Sequence, residues 1–424
     1  MMTADPALKI YDRWRWTVLM AGLAVYALFG RPAPPVFGWP EMVVTVALVV
    51  FICPLCGLHS LRCAVSGSWW HKAGLFLLLY GLSVPLVVAA VSGHDGVAIL
   101  RDVIPFLFMM IPLLAAYRCG GAADEAYRAR LLTAAMVTIG LVFSGRVLLS
   151  GFAGGTGFLV ADIADPALLA NVPGVLLAAC LLLFGAYARL YARGGYRQLW
   201  VALPMMALAL LPLCAMVLVM QRAGPGYMAV AALFLIGLAL WHAPCRAFLP
   251  LVLAGLTVMI GAPLWLALAD TMMQKTLTVG LNMRLEEALA VFDRIADRPL
   301  TVLFGAGWGA LYVSPAVGGA DVGFTHNIAS FYFLKTGLIG LAALGVYLGG
   351  IGIMIVRLLA RDAVLAVSLG GAVLICVLLY ASFKSLDFGL LLLLVTLWAS
   401  RYGILQATPG CSMQKEFPAM PDRT

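Results

Sequence analysis

Apolar runs of about 20 residues recur along this chain and constrain its fold more than any other feature. A helix needs about 20 mainly apolar residues to cross the hydrocarbon core of a bilayer. The 424 residues are 63% hydrophobic and only 11% charged, with a mean hydropathy of +1.02, which a soluble domain does not sustain. Because lipid offers no hydrogen bonds, a spanning backbone must satisfy its own polar groups. The sequence therefore predicts an all-α polytopic membrane protein.

About twelve spans are predicted, separated mostly by short loops that carry Gly, Pro or charge. They lie near residues 15–30, 41–58, 73–92, 98–117, 130–150, 168–189, 199–220, 225–241, 247–268, 335–358, 363–381 and 386–403. With the first span retained and the N-terminus inside, most of the 27 Lys and Arg residues lie on the cytoplasmic side, and so do both termini. The net charge of +8 is spread over many loops, so it indicates topology rather than nucleic-acid binding.

These spans divide the chain into three predicted parts: a bundle of about nine spans at 1–268, one large outer loop at 269–334, and C-terminal helices with a cytoplasmic tail at 335–424. A loop of that length in a compact bundle is usually functional. Membrane lipids are expected to surround both bundles.

Within the outer loop, residues 282–298 have the periodicity of an amphipathic helix, which Pro299 should end. One face is apolar and comprises Leu285, Ala288, Leu289, Phe292, Ile295 and Ala296. The adjacent face carries Arg284, Glu287, Arg294 and Arg298. Two interpretations remain open: a catalytic lid, or an interfacial helix whose arginines face lipid phosphates.

His326 is the candidate catalytic residue among the five histidines. It stands in Thr325-His326-Asn327, where the outer loop ends and apolar sequence resumes. An imidazole can take or give a proton at neutral pH, so one held at a membrane boundary suits general base chemistry. The alternative is a histidine that caps a helix or touches headgroups. Asn327 either orients His326 or caps the following helix.

Ten positive residues fall on the outer side, against the positive-inside tendency. They are Arg31, Arg101, Arg146, Arg222, Lys275, Arg284, Arg294, Arg298, Lys335 and Lys384. Arg222 lies in a tight Gly- and Pro-rich turn at 221–226, which suits an arginine aimed into a cavity; the alternative is an anchor among headgroups. Arg101 could be compensated by Asp102, and Lys384 by Asp387. Arg101, Arg146, Arg294 and Lys335 are secondary candidates on charge alone.

The remaining motifs are less specific. Gly305-Ala306-Gly307-Trp308-Gly309 either lets backbone amides approach an anion or permits a tight reversal. Cys53 and Cys56 are best explained as small apolar residues within a span, and no two histidines have ligand spacing on one helix. We therefore predict neither a metal nor a cofactor.

Several arginines on one outer face imply an anionic ligand, because guanidinium groups match phosphate oxygens in a bidentate way. A lipid diphosphate is a plausible phosphate carrier there. His326 would then activate an attacking hydroxyl while the arginines stabilise charge on the departing diphosphate. From the residues alone, the transferred group stays unidentified.

The order of these features resembles the O-antigen ligase and O-antigen polymerase superfamily. The resemblance covers chiefly residues 200–360: the arginine turn at 221–226, the long outer loop with Arg284, then Pro299-Leu300 and Gly305-x-Gly307, and Thr325-His326-Asn327 followed by a stretch beginning at Gly337. The chain departs from the commoner Ser-Arg-Gly turn, since Gln221 precedes and Ala223 follows the arginine.

This resemblance implies a GT-C-like glycosyltransferase of the bacterial inner membrane, working at the periplasmic face without a metal. His326 would be the acceptor-activating base, and Arg222 and Arg284 would bind the diphosphate of an undecaprenyl-diphosphate-linked glycan donor. In the favoured ligase branch the acceptor is a sugar hydroxyl of the lipid A core, and the reaction inverts the anomeric carbon. The alternatives are a polymerase using the same donor and, from a different class, a transporter for a lipid-linked glycan.

Overall fold

The computed structural model describes most of the chain outside four long gaps. The described residues are 6–34, 37–52, 67–115, 122–152, 166–193, 196–246, 283–296 and 298–405, with a few more positions in 60–65 and 248–273. The predicted ninth span at 247–268, the start of the outer loop and the C-terminal tail thus lie largely or wholly outside the described residues.

The described chain is helical almost throughout. Its helices in the N-terminal two thirds are α1 Pro6–Phe29, α2 Trp39–Ile52, α3 Trp69–Gly81, α4 Val84–Val91, α5 Gly96–Met109, α6 Ile111–Leu114, α7 Ala122–Phe152, α8 Pro166–Ala170, α9 Pro173–Arg193, α10 Tyr196–Leu218 and α11 Ala223–His242. The rest comprises α12 Arg284–Ala296, α13 Pro299–Phe304, the strands β1 Tyr312–Ser314 and β2 Ala320–Val322, α14 Ile328–Leu359, α15 Ala363–Leu378 and α16 Leu386–Arg401, with 3₁₀ turns at Pro315–Val317 and Ala381–Lys384.

Six helical stretches in the described residues are long and apolar enough to cross a membrane. They are Trp69–Val91, Asp124–Ser150, Pro173–Ala192, Arg197–Leu218, Ala223–His242 and Ile328–Leu359, with shorter apolar helices at Trp39–Ile52 and Ala363–Leu378. This confirms an all-α, membrane-embedded architecture. The count of twelve spans stays a prediction.

α16 lies at the centre of the bundle, packed against α5, α7 and α14. Most of its side chains are buried, including Asp387, whose carboxylate accepts a hydrogen bond of 2.7 Å from the Tyr26 hydroxyl. The expected pairing of Lys384 with Asp387 is therefore wrong: Asp387 points into the core toward α1, and Lys384 pairs elsewhere.

α14 begins at Ile328, not near residue 335, so the boundary expected between 334 and 335 falls inside this helix. It breaks at Gly337, whose φ of 66° and ψ of −166° are not helical. The break frees carbonyl groups, and the glycine-rich turn occupies them: the Ala306 amide donates to Leu334 O at 2.8 Å and the Gly307 amide to Lys335 O at 3.1 Å. A Cβ on Gly305 would lie 2.5 Å from the Lys335 carbonyl carbon, so the close approach requires glycine.

The predicted amphipathic helix is α12, and Pro299 ends it by starting the separate helix α13. Both its inward and its outward faces combine apolar and charged residues. Glu287 faces inward together with Val291 and Ile295, whereas Leu289 and Phe292 are exposed. An outward apolar face suits contact with lipid.

The antiparallel hairpin β1–β2 lies between α13 and α14 and pairs Tyr312 with Val322. No sequence feature predicted it. Tyr312 is buried in a small apolar cluster with Val291 and Ile295 of α12 and Leu334 of α14. The hairpin thus links α12 to the start of α14, where His326 stands.

Candidate functional site

His326 is held by Glu287 of α12. Its Nδ1 lies 3.1 Å and 3.3 Å from the two carboxylate oxygens of Glu287, and its backbone amide donates to Glu287 Oε2 at 3.1 Å. The Glu287 side chain is 3% exposed, whereas that of His326 is 31% exposed. With Nδ1 engaged by the carboxylate, Nε2 is the ring nitrogen available to a substrate.

Glu287 has a second partner from the hairpin. The Tyr312 hydroxyl donates to Glu287 Oε1 at 2.7 Å and lies 3.1 Å from the carbonyl oxygen of Phe324, two residues before His326. Burial alone would raise the pKa of Glu287, but the hydrogen bonds from His326 and Tyr312 outweigh it and hold that pKa below its ordinary value. Glu287 is therefore a charged, fully bonded carboxylate behind the imidazole.

Arg284 begins α12, three residues before Glu287, so the two side chains share a face of the helix. Burial and the nearby charge of Arg222 both lower the pKa of Arg284, while Tyr380 and Glu287 raise it. Arg222 and Arg284, which are distant in sequence, thus lie close together. The Arg284 guanidinium also stacks over the Tyr380 ring, with Cζ 5.7 Å from the ring centroid.

Arg284 has spare hydrogen-bonding capacity. Arg284 Nε is buried and has no hydrogen-bond partner among the described residues. Tyr380 lies within hydrogen-bonding range of the Ala223 backbone and the Gln221 side chain, so one aromatic residue supports Arg284 and contacts the turn that carries Arg222. Two neighbouring cations with an unused donor form a site suited to an anion.

A second buried charged cluster joins Asp102 to two lysines. Asp102 Oδ2 lies 2.7 Å from Lys335 Nζ and Oδ1 lies 3.0 Å from Lys384 Nζ. The Gly309 amide also donates to Asp102 Oδ2, at 2.9 Å. Asp102 is thus compensated by lysines of distant segments and not by its neighbour Arg101, which corrects the expected local pair.

The glycine-rich turn is not an anion cradle. Its amides at Ala306 and Gly307 donate to the broken α14, Trp308 donates to Pro85 O, and Gly309 donates to Asp102. The turn therefore serves the fold as a tight reversal, because each of these N–H groups already has an acceptor within the protein.

The remaining secondary candidates are exposed or bond to other parts of the fold. Arg146 donates to the carbonyl oxygens of Ala27 and Gly30 at the end of α1, both at 2.9 Å. Asn327 caps α14, since its Oδ1 accepts from the Ala329 amide at 2.7 Å. Arg101 and Arg294 are exposed on α5 and α12. Lys335 is fully buried in the Asp102 cluster.

Glu287 and Tyr312 are the residues in contact at the candidate site that the sequence alone did not identify. The helical periodicity already placed Glu287 on the face of Arg284, and an acidic residue on an arginine face was the available signal. Tyr312 gave none, because its role depends on a three-residue strand. Within the part of the chain that the structure describes, no three His, Cys, Asp or Glu side chains cluster as metal ligands.

An apolar groove opens between α4 and α13. It encloses about 450 Å³ and is lined mainly by Val84, Val87, Val88, Leu300 and Phe304. Because α13 follows α12 directly, the groove lies on the element that continues the arginine helix.

Neither the models of known protein families nor the curated proteins include one that matches this chain.

Proposed function

We propose that this protein is a membrane glycosyltransferase of the O-antigen ligase type. It would transfer a glycan from undecaprenyl diphosphate to a sugar hydroxyl of the lipid A core, at the periplasmic face of the bacterial inner membrane. The observation that carries the proposal is the imidazole of His326, bonded to the buried Glu287 one helical turn from Arg284. In this proposal, a general base and a group that binds anions lie on one short helix and the loop packed against it.

The chemistry uses one base and one leaving group. His326 Nε2 takes the proton of the acceptor hydroxyl as the oxygen attacks the anomeric carbon of the donor. The bond between that carbon and the diphosphate oxygen breaks, and its electron pair leaves with the diphosphate. Attack from the opposite side inverts the anomeric carbon. Glu287 stabilises the imidazolium that forms, because its carboxylate already faces Nδ1.

Arg222 and Arg284 serve the leaving group. Negative charge builds on the diphosphate as the bond breaks, and paired guanidinium groups stabilise it more than they stabilise the ground state. The unused Nε donor of Arg284 is available for this contact. The outward apolar side chains of α12 and the groove beside α13 suit a donor whose carrier is a lipid.

In vitro transfer tests this proposal most directly. Purified protein with defined lipid-linked donor and lipid A core acceptor should form product, and His326→Ala should lower the rate at least ~100-fold, the usual contribution of a general base. His242→Ala is the matched control, since His242 is exposed at the end of α11. Near-normal turnover by His326→Ala would remove the central claim.

A deletion strain separates the ligase from a polymerase that uses the same donor. Loss of polymer from the core, with carrier-linked polymer retained, is the result expected of a ligase. Core that carries a single repeat unit would instead assign the polymerase reaction.

A further inference from the structure

The cluster of Asp102, Lys335 and Lys384 has more positive than negative groups. Two lysines share one carboxylate, and Asp102 is the only acidic residue within ion-pair distance of either lysine in the described chain. The side chain of Asp102 is 4% exposed and that of Lys335 is not exposed at all. A mostly buried group with an excess positive charge is unfavourable unless an anion approaches it.

The two lysines differ in how firmly they are held. Lys335 Nζ bonds to Asp102 at 2.7 Å and donates to Ala310 O at 2.6 Å. Lys384 Nζ is 3.0 Å from Asp102 and 3.5 Å from Gly323 O, and its side chain is 17% exposed. An ammonium group has three N–H donors. Asp102 and Gly323 accept two of those of Lys384, so one N–H remains available to a ligand.

Asp102 does not depend on Lys384. If Lys384 turned toward a ligand, Asp102 would retain Lys335 and the Gly309 amide. Lys384 also lies over the Phe331 ring, 4.2 Å from its centroid, which favours a cation at this place without fixing its direction. Lys384 is therefore the cluster member that can engage a ligand.

Lys384 also connects the two halves of the candidate site. Its contact Gly323 precedes His326 by three residues in the loop that Glu287 holds. At the other end of the same 3₁₀ turn stands Tyr380, on whose ring Arg284 stacks. The free donor thus belongs to a short segment between the arginine pair and the histidine loop.

We propose that Lys384 is a third cationic contact for the donor diphosphate, beside Arg222 and Arg284. This inference rests on the proposed function. Lysine suits the place because it acts as a point charge and needs no bidentate geometry. The excess charge of the cluster would then be neutralised only when an anionic ligand is bound.

Inhibition by inorganic pyrophosphate tests this contact. In the purified full-length protein, Lys384→Gln should raise the inhibition constant of pyrophosphate and the KM for the lipid-linked donor about tenfold, the loss expected for one charged hydrogen bond. The KM for the acceptor should change little. Lys384→Arg, which keeps the charge, should stay near wild type.

Lys72→Gln is the matched control. Lys72 is exposed near the start of α3, and Trp70, two residues before it, bonds to Tyr347 O, which lies well beyond the Gly337 break of α14. An unchanged pyrophosphate constant in Lys384→Gln would overturn the proposal. So would a loss confined to turnover, which indicates that Lys384 only holds the histidine loop, or a rise confined to the KM of a phosphorylated acceptor.

Direct titration of pyrophosphate into the same variants keeps the two proposals apart. If wild type binds pyrophosphate and Lys384→Gln binds it about tenfold more weakly, the contact stands even where no glycan transfer is found. If wild type and Lys384→Gln bind it equally, the contact fails even where transfer is found.

Discussion

Glu287 and Asp102 are two carboxylates that are buried to nearly the same extent but are bonded to different kinds of partner. Their side chains are 3% and 4% exposed. Asp102 is bonded to two lysines, Lys335 and Lys384. Glu287 is bonded to an imidazole and a phenol, and the imidazole can change its charge during a reaction.

The difference in partners indicates different roles for the two carboxylates. A carboxylate bonded to lysines of two other segments holds those segments together, and Asp102 joins α5, α14 and the 3₁₀ turn at Ala381–Lys384. A carboxylate behind a titratable, partly exposed ring supports proton transfer. Burial alone therefore does not identify a functional acid; the chemistry of its partners does.

Asp102→Asn should cause the largest loss of stability. It would leave Lys335 buried beside a neutral amide, and breaking a buried ion pair typically costs about 3–5 kcal/mol. Thermal unfolding in detergent measures the loss. Asp321→Asn, an exposed position on β2, is the matched control.

A second variant separates lost charge balance from lost packing. Asp102→Asn combined with Lys335→Met should recover part of the stability, because the uncompensated cation is removed as well. If Asp102→Asn were as mild as Asp321→Asn, the ion cluster would not hold the segments together.

Glu287→Gln should affect activity more than folding. The amide is nearly isosteric but cannot stabilise an imidazolium, so turnover should fall on the order of 100-fold with little change in donor KM. Its neighbour Glu286 is exposed, and Glu286→Gln is the matched control.

The double variant Glu287→Gln/His326→Ala sharpens this prediction. Residues that act as one unit give non-additive losses, so the double variant should be no slower than His326→Ala alone. Additive losses would show that Glu287 acts independently of His326, and the contrast with Asp102 would then fail.

The local features of the site follow from the sequence to a large extent. Periodicity predicts α12 and puts Arg284 and Glu287 on one face, and Pro299 predicts its end. Which face turns inward is not predictable from periodicity alone, because lipid can receive the apolar face in a membrane protein. Because periodicity did not decide which face turns inward, the contact between Glu287 and His326 could not be predicted.

Long-range pairs left no local signal. Asp102 bonds to Lys335 and Lys384, which lie far along the chain, while its neighbour Arg101 suggested a local pair that does not form. The glycine-rich turn had two interpretations because its amides could serve a ligand or the protein. The break of α14 at Gly337, which decides between them, depends on tertiary packing.

The smallest expected effect is on the pH dependence of stability, which should show that Glu287 is charged in the folded protein. Hydrogen bonds from His326 and Tyr312 hold the pKa of Glu287 below its ordinary value near 4.5, despite burial. The charged form is therefore favoured by folding, and its contribution is present above the unfolded pKa and lost as pH falls through the folded value. The melting-temperature gap between wild type and Glu287→Gln should shrink as pH falls from roughly 6 toward 3, whereas Glu286→Gln should show no such trend. If this difference in melting temperature did not depend on pH, Glu287 would stabilise the fold by its shape and not by its charge. It would then not be the charged carboxylate that supports His326 in the proposed mechanism.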